Sequence, residues 1–290
     1  MNITFLGTAA APSMPIPFCV CEVCSKARRV GGKNLRRRSS LVINDDLLVD
    51  IGPDMATASF EHGLSLARIA ICLQTHPHAD HLDLEFIFSR HADYGTEVSG
   101  DLLLAGSDGT LQAIDALVRQ QSAYGTVFES ATQSALKLKL LSLTPFQASA
   151  AGDYRIIGYP ANHGNDQGFL LYSIVRGNHA VFYGTDTSVL SEEVWEHLQL
   201  NRIRYDVVIL DHTYGIGFES RPADHLASKD VAAHANRFRE CGLLKDTGVV
   251  YATHLSHEGN LEHDELDEYA MEHGYRVAYD GLRLRLRLDN

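Results

Sequence analysis

The chain lacks any uninterrupted apolar run near the roughly 18 residues that a membrane helix needs, so no membrane association is expected. Its opening, Met1-Asn2-Ile3-Thr4-Phe5, has neither the basic start nor the apolar stretch of a secretory signal, and a cytoplasmic location is expected. Surplus positive charge is missing too. With 25 Lys and Arg against 37 Asp and Glu, the formal net charge is −12, which disfavours a general nucleic-acid binder because phosphate backbones are held by surplus cations. Small anionic molecules, small nucleotides included, stay open as substrates. There is no low-complexity tract, obvious repeat or Pro/Ser-rich linker, and one domain over 1–290 is the simplest organisation.

At 45% hydrophobic and 21% charged residues over 290 positions, the composition is ordinary for a globular chain and sufficient for a sizeable core. The cysteines number five, and three of them crowd together as Cys19, Cys21 and Cys24. In a cytosolic chain such a cluster reads as a metal site rather than a disulfide framework. A redox dithiol at Cys21-x-x-Cys24 is the weaker alternative, since no thioredoxin-like context surrounds it. Cys72, in the apolar run Ile69 to Leu73, and Cys241, before Gly242, read as small packing residues. The basic run from Arg28 and Arg29 through Lys33 to Arg36, Arg37 and Arg38 reads as a solvated loop, with an anion contact at a site mouth as the sharper alternative.

Strand-like runs recur at 3–6, 40–43, 47–50, 69–74, 102–105, 136–143, 154–159, 168–175, 180–183, 207–210, 249–253 and 282–288. Asn44-Asp45-Asp46 and Gly177-Asn178 supply turn residues for two hairpins. Helical periodicity is expected over 111–121, from a Ser228 cap through Phe238 to Gly242, and over 264–273. Strands and helices at this density predict a layered α/β domain, and polar, His-bearing segments directly follow several strand-like runs, where such sheets place ligands.

The strongest chemical signal is Thr75-His76-Pro77-His78-Ala79-Asp80-His81. Three imidazoles and a carboxylate within six residues are hard to explain as packing and are the side chains that bind divalent metals. Pro77 keeps the chain out of a regular helix at His76, so His76 and His78 can point one way while Asp80 and His81 point another. Three later segments each offer one more ligand at a strand end: Asn162-His163-Gly164, Thr185-Asp186-Thr187 and Thr253-His254-Leu255.

This order, His-x-His-x-Asp-His followed by His, Asp and His, resembles the metallo-β-lactamase superfamily over nearly the whole chain. The resemblance implies an α/β four-layer αββα sandwich. It also implies a dinuclear site in which His76, His78 and His163 hold one divalent metal, Asp80, His81 and His254 hold the other, and Asp186 bridges them. Phe5-Leu6-Gly7-Thr8, the run Phe18 to Cys24, Leu47 to Gly52 and Tyr279-Asp280-Gly281-Leu282 are similar to the PhnP-type phosphodiesterase branch, itself related to tRNase Z-like and PqqB-like proteins. That branch implies an N-terminal zinc knuckle on Cys19, Cys21, Cys24 and His257, a closed shell with no open position for chemistry. It further implies that Asp50 orients ligating histidines from behind, and that His225 faces the site without binding metal, as a proton donor or charge stabiliser. Asp80 and His225 are thus the candidate catalytic residues. His212 follows a strand-like run and is a further candidate for the cleft, with no assigned task.

The function implied is a metal-dependent hydrolase, most specifically a phosphodiesterase acting on small or cyclic phosphodiesters through a two-metal-activated hydroxide. The expected cofactors are two divalent ions (zinc, manganese or iron) and one structural zinc. The expected partner is a small phosphodiester, and a homodimer is compatible with the sequence. Two rivals share the scaffold: a lactonase, and a PqqB-like oxidative biosynthetic protein, which the cysteine cluster and Arg38-Ser39-Ser40 also resemble. The stretch 84–158 matches little and is expected to shape substrate choice through its loops.

Overall fold

The computed structural model describes residues 1–164 and 168–287. Its strands are β1 (Asn2–Gly7), β2 (Ser40–Ile43), β3 (Leu47–Val49), β4 (Ile71–Leu73), β5 (Leu102–Gly106), β6 (Leu138–Ser142), β7 (Ala148–Ala151), β8 (Tyr154–Pro160), β9 (Leu170–Arg176), β10 (His179–Gly184), β11 (Tyr205–Asp211), β12 (Leu244–Thr253), β13 (Arg276–Val277) and β14 (Arg283–Arg285). The helices are α1 (Glu22–Val30), α2 (Met55–Glu61), α3 (Glu85–Phe88), α4 (Asp108–Gln121), α5 (Ser130–Leu136), α6 (Glu192–Asn201), α7 (Ser228–Glu240) and α8 (His263–Glu272). One seven-stranded sheet runs β14-β1-β2-β3-β4-β5-β6 and the other β13-β12-β11-β10-β9-β8-β7. Among the described residues no helix is long and apolar enough to cross a membrane.

The layers follow from the pleat. Each strand side chain points opposite to its neighbour, and a strand covered on both faces must be apolar on both. In β11, Val207 and Ile209 join the core between the two sheets, whereas Val208 and Leu210 join the core beneath α6, α7 and α8. In β2, Leu41 and Ile43 face the second sheet and Val42 faces the helices of the first half. The three clusters, one between the sheets and one under each helical layer, make the αββα sandwich. Both expected hairpins form, pairing β2 with β3 and β9 with β10 antiparallel.

Several expectations shift. The run 69–74 yields only the three-residue β4, because its ends leave the sheet for loops. Leu136 closes α5 instead of opening a strand, and β6 begins at Leu138 after Lys137 adopts a left-handed backbone. Ser228 is the first residue of α7 and Ala227 its cap, so the Ser228 cap does not form. The run 282–288 contributes β14, with Leu288 outside the described residues. Helix α6, entered through Ser191, whose hydroxyl accepts from the Val194 amide, was legible as a cap but not expected.

The basic run is not a solvated loop throughout. Arg36 is buried, with Nη1 donating to Thr8 Oγ1 at 2.8 Å and to the Ala278 carbonyl at 2.6 Å, and Nη2 donating to His263 Nδ1 at 2.9 Å. It staples the first strand's exit to the chain's last turns, which an isolated stretch of basic letters does not reveal.

Candidate metal centre

Strand ends from both sheets converge on one edge of the sandwich. The exits of β3 and β4 in the first sheet deliver Asp50 and the loop 74–83; β8, β10, β11 and β12 in the second deliver His163, Asp186, Asp211 and His254. Three of these residues take left-handed backbone angles uncommon for side chains other than glycine: Asp50 (φ 64°), Asp186 (φ 53°) and His254 (φ 60°). Such strain persists only where surrounding structure holds it, and it clusters at working sites. Gly52 lets the 74–83 loop lie close, because a Cβ there would stand 2.8 Å from the Asp80 carbonyl oxygen.

The donor atoms of His76, His78 and His163 lie within 4.8 Å of one another, and those of Asp80, His81, Asp186 and His254 form a second such group, wholly buried. Asp186 joins the two. Its Oδ1 is 3.8 Å from Nε2 of both His76 and His163, and its Oδ2 is 2.9 Å from His81 Nε2 and 3.1 Å from His254 Nε2. Asp80 Oδ2 completes the second group at 3.1 Å from His81 Nε2 and 3.7 Å from His254 Nε2. Despite this crowding, Nε2 of His76, His81 and His254 and Oδ2 of Asp186 are buried without a hydrogen-bond partner. Buried polar atoms are ordinarily satisfied; here lone pairs point at a common centre, which fits a pair of divalent cations.

Electrostatics agrees. Burial alone opposes charge on His81, yet the carboxylates of Asp186, Asp80 and Asp50 outweigh it and push its pKa well up, whereas burial drives His76 well down. The same surplus of carboxylate charge around His81 is what a bound cation would offset.

Contacts behind the donors fix which ring nitrogen is free. His81 Nδ1 donates to Asp50 Oδ2 at 2.7 Å, and Asp50 also accepts from the Thr75 amide and hydroxyl. With the Thr75 hydroxyl spent on Asp50, its oxygen accepts from His76 Nδ1 at 2.9 Å. His254 Nδ1 pairs with Thr213 Oγ1 at 2.8 Å, that hydroxyl donating to the His254 carbonyl, and His163 Nδ1 donates to the Asp224 carbonyl at 2.9 Å. Each pairing turns Nε2 toward the centre, that of His163 standing 3.4 Å from His78 Nδ1, the arrangement expected of metal-ligating histidines. Phe169 packs against the rings of His76, His78 and His163 and was not anticipated from sequence.

A second constellation sits at the entrance to α1. Sγ of Cys19, Cys21 and Cys24 lie 3.4, 3.4 and 3.6 Å from His257 Nδ1. A tetrahedral zinc with Zn–S about 2.3 Å and Zn–N about 2.0–2.1 Å separates sulfur from nitrogen by about 3.6 Å, so these residues fit that ion as they stand.

The cleft above the centre has a volume of about 350 Å³ and is lined by the loop Ala10–Ser13 and by His78, Asp80, His163, Asp186, Asp224, His225, His254, His257 and Glu258, among others. Among the described residues none of the lining comes from 84–158, which builds α3 to α5, β5 to β7 and most of β8. His225 reaches the cleft, its ring against those of His163 and His254. Its Nδ1 donates to Asp211 Oδ2 at 2.8 Å, and Nε2 lies 3.4 Å from Asp224 Oδ1. Burial opposes its charge, but the Asp211 carboxylate prevails and raises its pKa to about 9. Asp211 itself was missed by sequence reasoning; a carboxylate at a strand end is unremarkable until His225 is seen beside it. His212 is turned away, with Nε2 paired to Tyr275 Oη at 3.0 Å, because successive residues on β11 and its exit face opposite sides. It does not line the cleft.

Comparisons with known proteins agree with this architecture. The sequence profile of the beta-lactamase superfamily domain matches residues 46–255. No curated protein sequence matches the chain significantly. Among solved structures, a diphosphatase of the PhnP family is similar at 21% identity, covering 98% of this chain and 96% of its own, with a TM-score of 0.70. Zinc-bound PqqB from Methylobacterium extorquens is 15% identical over 99% of this chain and 100% of its own (TM-score 0.73), and the short form of human tRNase Z is 17% identical over 99% and 100% (TM-score 0.63). At such identities these structures share the fold alone. The profile spans well over half of the chain and the sandwich and donor order accompany it: this chain belongs to the metallo-β-lactamase superfamily and is a hydrolase of that fold with a His/Asp metal site.

Proposed function

We propose that the chain is a metal-dependent phosphodiesterase acting on small or cyclic phosphodiesters, with two divalent cations at the His/Asp cluster and a structural zinc on Cys19, Cys21, Cys24 and His257. The observation that carries this reading is Asp186, whose two carboxylate oxygens face separate donor groups beside the cleft residue His225. His76, His78 and His163 would hold one cation, Asp80, His81 and His254 the other, and Asp186 both. Zinc, manganese and iron all suit such ligands.

When bound, the cations supply a water of lowered pKa and positive charge against the phosphoryl oxygens. The chain's residues supply the rest. Asp50, Thr75 and Thr213 keep the imidazoles oriented. Asp211 holds Nδ1 of His225, leaving Nε2 to carry a proton at the cleft wall and pass it to the leaving oxygen. The description of the PhnP-family relative as a diphosphatase supports phosphorus chemistry over lactone opening.

The test is metal content by elemental analysis on chelator-free protein, with hydrolysis of bis(p-nitrophenyl) phosphate and cyclic nucleotides assayed on the same sample. About three metals per chain with diester cleavage is the expected result. The same metals without cleavage would reject the phosphodiesterase in favour of a lactonase or a PqqB-like oxidative role, and a single zinc would reject the dinuclear site.

A further inference from the structure

We infer that a groove in the helical layer covering the first sheet binds an unbranched aliphatic carboxylic acid, at a site separate from the metal centre and independent of the chemistry there.

The groove has a volume of about 500 Å³, larger than the cleft above the metals, and the two share no described lining residue. It exists because the elements above the sheet are short. Helices α2 and α3 have seven and four residues, and the loop between α2 and β4 has no regular structure, so together they leave part of the sheet uncovered. Leu48, Ile51 and Leu102 are buried at its base. Around them Leu64, Leu66 and Phe86 pack against the core but stay only partly buried, and Phe60 is 79% exposed. Protein interiors are close-packed with few voids, and an apolar concavity of this size is what small organic ligands occupy.

The hydroxyls on its walls are already engaged. Ser59 Oγ donates to the Ala56 carbonyl at 2.7 Å, Ser89 Oγ donates to the Phe86 carbonyl at 3.2 Å, and Ser65 Oγ accepts from the Ala67 amide. Arg90, half-buried, is the one charged side chain among the described lining residues. Its Nε donates to the Leu136 carbonyl at 3.3 Å and its Nη2 to the carbonyls of Gly100 at 2.8 Å and Lys137 at 3.0 Å, while Nη1 takes no part in these bonds. Burial lowers its pKa against a pull from Asp101, which is itself paired with Lys139 at 3.2 Å. A guanidinium stays charged in a protein, and a partly desolvated one is ordinarily met by an anion. Among the described residues no carboxylate pairs with Arg90. An anionic head on an apolar tail completes the groove. One Arg with no Lys beside it suits a singly charged, planar carboxylate, since a phosphate dianion between apolar walls would need further cations to offset its desolvation.

The test titrates the metal-loaded protein with hexanoate, octanoate and decanoate by calorimetry, with 1-octanol as the uncharged control. Each added pair of methylenes should tighten binding roughly tenfold until the groove is full. 1-Octanol should bind roughly tenfold more weakly than octanoate, and Arg90→Met should erase that difference. Ala56→Phe, at a half-buried position of α2 that lines the groove, should abolish binding of all three acids with active-site metal content unchanged. This second variant keeps the test decisive if Arg90→Met fails to fold. No binding of any acid, no dependence on chain length, or 1-octanol binding as tightly as octanoate would overturn the inference. Octanoate binding that survives Ala56→Phe, as it would for a carboxylate held by the metals, would do the same. So would a dimer that Phe60→Ser dissociates and decanoate does not, because a second copy would then cover the groove.

Discussion

Oδ2 of Asp211 lies 2.8 Å from Nδ1 of His225. The same oxygen accepts the Asp186 amide at 3.1 Å, while Oδ1 accepts the Thr213 amide at 2.9 Å. One buried carboxylate therefore orients the cleft imidazole and also fixes the backbone of the residue that faces both donor groups. His225 and Asp186 are 39 positions apart in the chain by number, and this shared carboxylate ties the side chain of one to the backbone of the other.

His225→Ala should lower diester turnover by roughly 10² or more with active-site metal content unchanged. Asp211→Asn should approach that loss, and the double variant should be little worse than either alone, since residues acting as a unit are not additive. Steady-state kinetics paired with metal analysis decides it; multiplicative losses would show that the two act independently.

Asp186→Ala should strip metal from the His/Asp site and leave the zinc on Cys19, Cys21, Cys24 and His257, because the two constellations share no ligand. Elemental analysis reads the outcome directly. Equal loss from both sites would contradict two separate centres.

Removing the acid behind His81 should weaken metal binding without removing a ligand. Asp50→Ala is expected to cost roughly 10- to 100-fold in affinity at the site containing His81. Chelator-competition titration against wild type measures it, and an unchanged affinity would leave Asp50 with a packing role only.

Cys21→Ser should lower the melting temperature more than it lowers turnover at moderate temperature, since the knuckle ties the start of α1 to the loop after β12. Zinc content should fall by one ion. Thermal scans beside rate assays separate the two effects, and lost turnover with an unchanged melting temperature would move the knuckle into the catalytic machinery.

His263 offers a pH readout away from the metals. Burial first, then the charges of Arg36 and Lys33 against weaker help from Asp267 and Asp264, lowers its pKa to about 4. The unfolded chain takes up its proton near the ordinary value of about 6.5 while the native state resists until about 4. Its contribution to stability is thus complete above about 6.5 and lost as pH falls toward 4. The stability advantage of wild type over His263→Asn, from urea unfolding, should shrink between about pH 7 and about pH 5. A constant advantage would refute the shifted titration.

The sequence alone singled out the loop from His76 to His81, because metal binding requires a few side-chain types and three histidines with an aspartate in one short loop have no packing explanation; His163, Asp186 and His254 joined it only through the resemblance carried by their order. It also determined most strands and both hairpins, whose signals are local: apolar runs and turn residues. The resemblance carried by the ordered His and Asp positions supplied the αββα layers, which the described structure shows. Tertiary structure alone decided that Arg36 is buried, that His212 faces Tyr275 while its neighbour Asp211 faces the site, that 84–158 lines none of the described cleft, and that Asp224 and Glu258 line it. Each depends on which face of a strand or which loop end meets a distant segment. A one-residue change of facing reverses a side chain's surroundings, and nothing in the neighbouring letters records it.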